Sequence, residues 1–271
     1  MSEAPTRATR SDTTDRVADA GWTDCDLDPS LSANSEALAR LGITRAVVGR
    51  LPRTTVTLSP EPVPPGFATR FVIPAPGHPD PAMVRDLHAQ GVRGVRFMLA
   101  DDADRARAQL DKILRYADRI ANSDWHIELG LGGADASLSA CEWTLTRFPV
   151  AVCISGLAGF VRRRTADDAE LQFLLALLQM GRTWIKLTGA LSDLSDSDAL
   201  GTFARTAVAV RRDRIVWGSG ALPDRMRDTA DVSDDTARIA DALATLKAWM
   251  TDDDDRETIL VANPSLLYGF T

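Results

Sequence analysis

Eight short runs rich in β-branched and aromatic residues alternate along this chain with segments whose apolar residues recur at helical spacing. The strand-like runs are residues 22–27, 44–48, 70–73, 92–99, 125–129, 150–154, 183–188 and 214–217. Alternating strands and helices predict a parallel sheet, and eight such units in 271 residues favour a closed (β/α)8 barrel over an open doubly wound sheet. No Gly-rich nucleotide-binding motif follows the first run, which also disfavours the open sheet.

The segments between these runs supply the outer helices of the predicted barrel. Helical spacing extends over residues 32–41, 80–90, 103–121, 136–147, 166–180 and 196–211. Residues 51–66 contain five prolines and cannot form an ordinary helix, so we expect a loop in place of one outer helix. After the eighth run, a helix near residues 235–250 and a last helix that ends at 266–270 are interpreted as packing elements.

The composition predicts one barrel domain over residues 21–271, behind a disordered lead at residues 1–20 that is polar and lacks the apolar core of a signal peptide. Hydrophobic residues make up 45% of the chain, which is enough for a sizeable core. A net charge of -7 argues against nucleic acid as a partner, and no apolar stretch is long enough to span a bilayer. Three scattered cysteines indicate reduced thiols, and we expect a cytoplasmic protein of unspecified oligomeric state.

The segment at residues 87–97 joins a helix end, a tight turn and a buried strand. Gly91 stands where a helix needs a left-handed cap, and alternating apolar residues follow it. Arg93 and Arg96 fall inside this apolar run. A buried cation requires an anion, so the strand is a candidate for substrate binding as well as a wall of the core.

Five motifs in matching order resemble the amidohydrolase-related barrels that include the pyrone-dicarboxylate lactonases. They are LHAQGVRGVRF at 87–97, Trp125-His126, WIKLTGALSDLS at 184–195, IVWGS at 215–219 and ILVANPSLLYGF at 259–270. The resemblance covers most of the chain from Trp22 onward and implies the (β/α)8 fold. The resemblance is much less specific for the activity that it implies, which is hydrolysis of a small dicarboxylate or lactone.

Most catalytic positions of that family are substituted here. Asp26 and Asp28 stand where the family has a His-x-His pair, Gly156 replaces a histidine after the sixth strand, and Gly220 replaces the aspartate after the eighth. Ser192 stands in place of an arginine. Because the whole chain has only three histidines, a His-rich metal centre cannot be rebuilt, and we expect neither zinc nor another cofactor.

Asp26 and Asp28 share one face of the first strand in a regular alternation, so both could reach the barrel mouth. Two close carboxylates form an acid/base pair or hold a hard cation such as Mg²⁺. The alternative is a turn and helix cap, since Asp28 is followed by Pro29 and Ser30.

Arg96 and Lys186 are the candidate cations of the site, with Glu128 and His126 beside them on the fifth strand. Arg96 would grip a substrate carboxylate, or else form a structural ion pair with Glu128. Lys186 would polarise a carbonyl, or else pair with Asp26 or Glu128. His126 is either a general acid/base or a core residue.

Ser155 and Ser219 lie at strand ends and are predicted to line the substrate site, without a histidine in position to activate either as a nucleophile. The sequence thus favours a metal-independent enzyme acting on a small carboxylated molecule that bears a lactone or another carbonyl. The reaction is hydrolysis, or a cyclisation, dehydration or isomerisation without water. The alternative is a catalytically silent barrel that binds a ligand or a partner protein.

Overall fold

A computed structural model describes residues 21–27, 35–49, 67–131, 137–188, 197–220 and 232–270. Eight parallel strands follow one another in sequence order around a single sheet. They are β1 (Trp22–Leu27), β2 (Ile43–Gly49), β3 (Ala68–Pro74), β4 (Val92–Leu99), β5 (His126–Leu131), β6 (Val152–Ser155), β7 (Thr183–Thr188) and β8 (Ile215–Gly218). Strand β8 lies against β1, so the sheet forms a nearly closed barrel, and the predicted fold is confirmed.

Helices pack around the strands, and the last of them contributes residues to the barrel interior. They are α1 (Ser35–Arg40), α2 (Pro81–Ala89), α3 (Ala103–Ile120), α4 (Glu142–Leu145), α5 (Leu157–Arg162), α6 (Ala169–Gln179), α7 (Ser197–Arg211), α8 (Val232–Trp249), α9 (Asp253–Glu257) and α10 (Asn263–Tyr268). Asp80 and Asp102 accept backbone N–H groups at the starts of α2 and α3, which fixes where these helices begin. The loop expected at residues 51–66 and the lead at residues 1–20 lie outside the described residues.

Two details of the predicted elements are wrong. The fifth strand begins at His126 rather than Trp125, and the sixth begins at Val152. A short helix, α5, directly follows β6, where no helical segment was predicted. Gly156 lies between β6 and α5 with φ 74°, and this left-handed conformation lets the chain turn directly into the helix.

The strands separate two apolar layers. Val95 on β4 packs in the large cluster between the strands and the helices. A smaller cluster fills the barrel interior and combines residues of six strands with three residues that follow α9. Its members are Cys25, Val47, Val72, Cys153, Trp184, Val216, Leu267, Tyr268 and Phe270. The end of the chain thus plugs the barrel, which confirms the interpretation of the tail as packing.

The barrel interior is closed at the end where the strands begin. Arg45 on β2 donates hydrogen bonds to Ser265 and to the carbonyl of Val261. Arg45 and Arg70 both lie over the ring of Phe270 at 5.4 and 5.1 Å from its centroid. Polar chemistry is therefore left to the opposite end, where the strands finish. Among the described helices, none has the length and apolarity needed to cross a bilayer.

Candidate active site

A bulge in β1 brings Asp26 into the barrel interior. Asp24 pairs with Ala46 and Leu27 pairs with Val48, so β1 uses one more residue than β2 between these pairs. Cys25 belongs to the interior cluster, and the adjacent side chain of Asp26 also contacts interior residues. Strict alternation would place these neighbours on opposite faces, so the bulge is what makes Asp26 a site residue.

Four charged side chains from four strands form one ion-pair network. The Nη2 group of Arg96 lies 2.7 Å from Oδ1 of Asp26 and 2.9 Å from Oε1 of Glu128. The Nζ group of Lys186 lies 2.8 Å from Oε2 of Glu128 and 4.0 Å from Oδ1 of Asp26. Ser155 on β6 donates its hydroxyl to Oε1 of Glu128 at 2.9 Å. Two cations and two anions thus balance each other inside the barrel.

The network opens toward solvent on one side. Glu128 and Lys186 are completely buried, whereas the side chain of Arg96 is 21% exposed and that of Asp26 is 11% exposed. Met98, the next residue on the same face of β4, is 56% exposed. The exposure therefore rises from the buried Lys186–Glu128 pair through the Asp26–Arg96 pair to Met98, as expected at a barrel mouth.

Electrostatics fix the protonation states of the network. Burial alone would raise the pKa of Glu128, but Arg96 and Lys186 outweigh it and lower that pKa to about 2. Burial opposes the charge on Lys186, yet Glu128 and Asp26 raise its pKa. The same balance with Asp26 and Glu128 raises the pKa of Arg96. Lys186 is consequently an ammonium ion, suited to polarise a carbonyl and unsuited to act as an amine nucleophile.

Two glycines, one on each of the strands that flank β1, make room for the network. A methyl group added to Gly49 on β2 would lie 2.8 Å from Nη1 of Arg96. A methyl group added to Gly218 on β8 would lie 2.6 Å from Cβ of Asp26. Both strands come close to the charged side chains only because these two positions lack side chains. Sequence reasoning did not identify either glycine as part of the site.

His126 lies on the same strand as Glu128 but deeper in the barrel. Its ring packs edge-on against Tyr268 at 5.2 Å, and the backbone of Arg93 lies close enough to influence its pKa. Burial is the main cause that lowers its pKa to about 4, so the imidazole is neutral at pH 7. This placement among core residues favours the structural interpretation of His126 over the acid/base one.

Asp24 is a buried carboxyl group that sequence reasoning passed over. Its Oδ1 accepts the backbone N–H groups of Asp26 at 3.0 Å and Ser219 at 2.9 Å. The side chain of Ser219 contributes a further hydrogen bond that favours the ionised carboxylate. Burial raises its pKa to about 6. The strand Trp22–Leu27 is itself half polar in sequence, so this aspartate does not stand out in it.

The structure brings together most of the residues predicted for the site. Asp26, Arg96, Glu128, Lys186 and Ser155 are in mutual contact, and the alternative ion pairs considered for the two cations are present. These positions do not test the catalytic assignments.

Two other predicted positions give less direct information. Ser219 is buried and contributes its backbone N–H to Asp24. Asp28, predicted to act with Asp26, lies outside the described residues, as does Ser192.

A metal ion does not fit the described residues. They contain no group of three His, Cys, Asp or Glu side chains arranged to hold a metal ion. The carboxylates of Asp26 and Glu128 instead face Arg96 and Lys186. A divalent cation placed between these carboxylates would be repelled by two positive charges at close range.

Comparison with known proteins identifies the family. The sequence profile of the family described as amidohydrolase matches residues 23–270. The chain belongs to the amidohydrolase family. The family that the five motifs resemble and the barrel fold that this resemblance implies are both confirmed.

Similar proteins of known name act on lactones. The chain is 26% identical over 191 residues to a 4-sulfomuconolactone hydrolase of Hydrogenophaga intermedia, covering 69% of this chain and 60% of that protein. It is 33% identical over 112 residues to a D-galactarolactone isomerase of Agrobacterium fabrum, covering 40% and 37% of the two chains. This amidohydrolase thus spans about 60% of the length of the lactone hydrolase that it matches.

Solved structures share the barrel. A protein of Agrobacterium tumefaciens in its apo form has a TM-score of 0.66 at 18% identity, covering 93% of this chain and 96% of that one. A Pseudomonas putida protein described as a 2-pyrone-4,6-dicarboxylic acid hydrolase has a TM-score of 0.62 at 19% identity, covering 92% and 98%. At these identities the likeness establishes the fold alone.

Proposed function

We propose that this amidohydrolase is an enzyme that acts on a lactone carried by a small carboxylated molecule, through acid/base chemistry without a metal ion. The observation that supports it best is the Asp26–Arg96 pair at the open side of the network, backed by a buried ammonium group. An anion receptor, a proton acceptor and a positive charge for a carbonyl oxygen are thus within one site.

Arg96 binds the substrate carboxylate in this proposal. Its guanidinium is partly exposed, and its Nε has no hydrogen-bond partner. An incoming carboxylate competes with Asp26 for the guanidinium, because the paired N–H donors of an arginine match the two oxygens of any carboxylate. Substrate binding would thereby loosen Asp26 from Arg96 and free an oxygen of Asp26 to accept a proton.

Lys186 and Glu128 provide the charge behind the reacting carbonyl. The ammonium group of Lys186 lies on the buried side of Asp26, where its positive charge stabilises negative charge that develops on a carbonyl oxygen. Glu128 holds the ammonium group in place and is itself held by Ser155 and Arg96. Because Glu128 remains ionised, it acts as a fixed counter-charge and not as the proton acceptor.

Asp26 is the residue that moves the proton. In hydrolysis it takes a proton from water, the hydroxide adds to the lactone carbonyl, the ring C–O bond breaks, and the released alkoxide receives the proton. In isomerisation it transfers a proton within the substrate without net addition of water. The names of the two relatives, a lactone hydrolase and a lactone isomerase, support the lactone and leave both reactions open.

The test is turnover of a panel of lactones that carry a carboxylate, with the free hydroxy acid and ¹⁸O from labelled water measured by mass spectrometry. Incorporation of one ¹⁸O indicates hydrolysis, and rearrangement without ¹⁸O indicates isomerisation. Asp26→Asn should lower kcat by about 100-fold or more, since a positioned acid/base group contributes that much. Asp104→Asn is the matched control, because Asp104 is 91% exposed on α3.

Metal independence is tested on the same preparation. We expect full activity after extensive chelation and less than stoichiometric bound metal by elemental analysis. Loss of activity on chelation that a divalent ion restores would contradict the proposal. Undiminished activity in Asp26→Asn would contradict the assignment of the proton acceptor.

The closed charge network supports a second candidate function, a barrel that binds a small carboxylic acid without turnover. All four charges already have partners within the network, so the site is stable without chemistry. Saturable calorimetric binding of a lactone acid that is recovered unchanged would favour this candidate.

A further inference from the structure

The seam between β8 and β1 is held at the site by a side chain. The carboxylate of Asp24 on β1 accepts the backbone N–H of Ser219, which directly follows β8. The same oxygen accepts the backbone N–H of Asp26, two residues further along β1. One carboxylate oxygen thus connects the strand that presents Asp26 to the strand beside it.

The position of this link coincides with the bulge. Between the pairs Asp24–Ala46 and Leu27–Val48, the backbone of β1 departs from regular pairing with β2. The backbone N–H of Asp26 lies in that interval and is bonded to Asp24. On the other side, Gly218 approaches so closely that an added methyl group would lie 2.7 Å from the nitrogen of Asp26. The bulged segment is therefore held from both sides.

Asp24 accepts these two backbone hydrogen bonds at a cost in folding stability. It is completely buried, and burial outweighs the hydrogen bonds from Ser219 and Asp26 and raises its pKa to about 6. A carboxyl group taken out of water is unfavourable even when it accepts hydrogen bonds, and a buried strand is ordinarily stabilised by apolar residues. A feature that costs stability at the edge of a site indicates that function retains it.

We infer that Asp24 is the positioning residue for Asp26, whose bulged backbone it holds against β8 so that the carboxylate of Asp26 meets Arg96. The inference rests on the proposed function, in which Asp26 moves the proton. Asp24 itself contacts neither Arg96 nor Lys186 through any hydrogen bond or ion pair among the described residues.

Substitutions at Asp24 separate positioning from mere stability. Asp24→Asn keeps an oxygen that accepts both N–H groups and should retain kcat within about threefold. Asp24→Ala and Asp24→Val remove the acceptor, and Val does so without leaving a void. Both should lower kcat by about 100-fold with little change in KM, because a displacement of about 1 Å at the reacting group has that effect.

A second measurement does not depend on turnover. The Nη signals of Arg96 in ¹⁵N–¹H spectra, assigned by comparison with Arg96→Lys, report its bond to Asp26. These signals should be unchanged in Asp24→Asn and shifted or broadened in Asp24→Val, to the same extent as in Asp26→Ala. If the wild type turns over no lactone, the proposed function fails while these spectra still test the positioning.

Three results would overturn the inference. Unchanged Arg96 signals in Asp24→Val would show that the bulge holds without Asp24. An equal loss of kcat in Asp24→Asn and Asp24→Val would show that the charge and not the acceptor matters. If Asp24→Ala and Asp24→Val both fail to fold while Asp24→Asn is fully active, Asp24 is needed for folding alone.

Discussion

Replacing Glu128 by Gln tests the energetic centre of the network. The change keeps the shape of the side chain but leaves Arg96 and Lys186 buried with Asp26 as their single anion. Removing one partner of a buried ion pair typically costs about 3–5 kcal/mol of the free energy of unfolding. A fall of the Glu128 pKa from 4.5 to about 2 corresponds to about 3 kcal/mol, which agrees in size.

The sign of the pH dependence follows from the direction of that pKa change. The pKa of Glu128 is lower in the folded protein than in the unfolded chain, so its contribution to stability is complete above about pH 4.5. The contribution is lost as the pH falls from there through about 2. Glu128→Gln should therefore lose stability at pH 7 and show a shallower decline in acid than the wild type.

Urea denaturation at pH 7 and at several acidic pH values measures both effects. Glu36→Gln is the matched control, because the Glu36 side chain is 88% exposed on α1, and its stability should stay within about 0.5 kcal/mol of the wild type. The double variant Glu128→Gln, Lys186→Met restores charge balance and should regain at least about 2 kcal/mol. A Glu128→Gln protein as stable as the Glu36→Gln protein would refute this reasoning.

Four further predictions follow from close contacts and burial. Gly218→Ala should destabilise by about 2 kcal/mol or more, since its methyl group meets the backbone of β1, whereas Gly77→Ala, with open space around it, should have little effect in urea denaturation. Gly49→Ala meets only the end of a guanidinium and should reduce kcat more than stability, as paired kinetic and unfolding measurements would show. His126 should stay neutral down to about pH 4 in an NMR titration, and protein stability should fall as the pH drops from about 6.5 to 4; an imidazolium signal at pH 6 would contradict this. The Cys153 thiol, buried and with a raised pKa, should react with a thiol reagent only as fast as the protein unfolds.

Most of the fold could be predicted because its signals are local. Apolar runs of strand length identified every strand, and apolar residues at helical spacing marked the longer helices between them. The pattern at residues 87–97 located both the turn at Gly91 and the start of β4. The helix α5 was missed because it is short and begins directly after Gly156, without a connecting loop.

The candidate site could be predicted only in part. Residue type and strand position were enough to select Arg96, Lys186 and Glu128, since charges within apolar strands require partners. The contributions of Asp24 and Gly218 depend on the bulge in β1 and on its contact with β8. These features arise between strands at opposite ends of the sequence, so no local pattern reveals them.

The plug at the closed end of the barrel also determines when the molecule can finish folding during its synthesis. Arg45 on β2 can form its hydrogen bond with Ser265 only after the ribosome has added 220 further residues. Until Tyr268 and Phe270 emerge from the exit tunnel, Cys25 and Val47 face an unfilled interior. The nascent chain must therefore keep its early strands from aggregating until residues 265–270 have been translated.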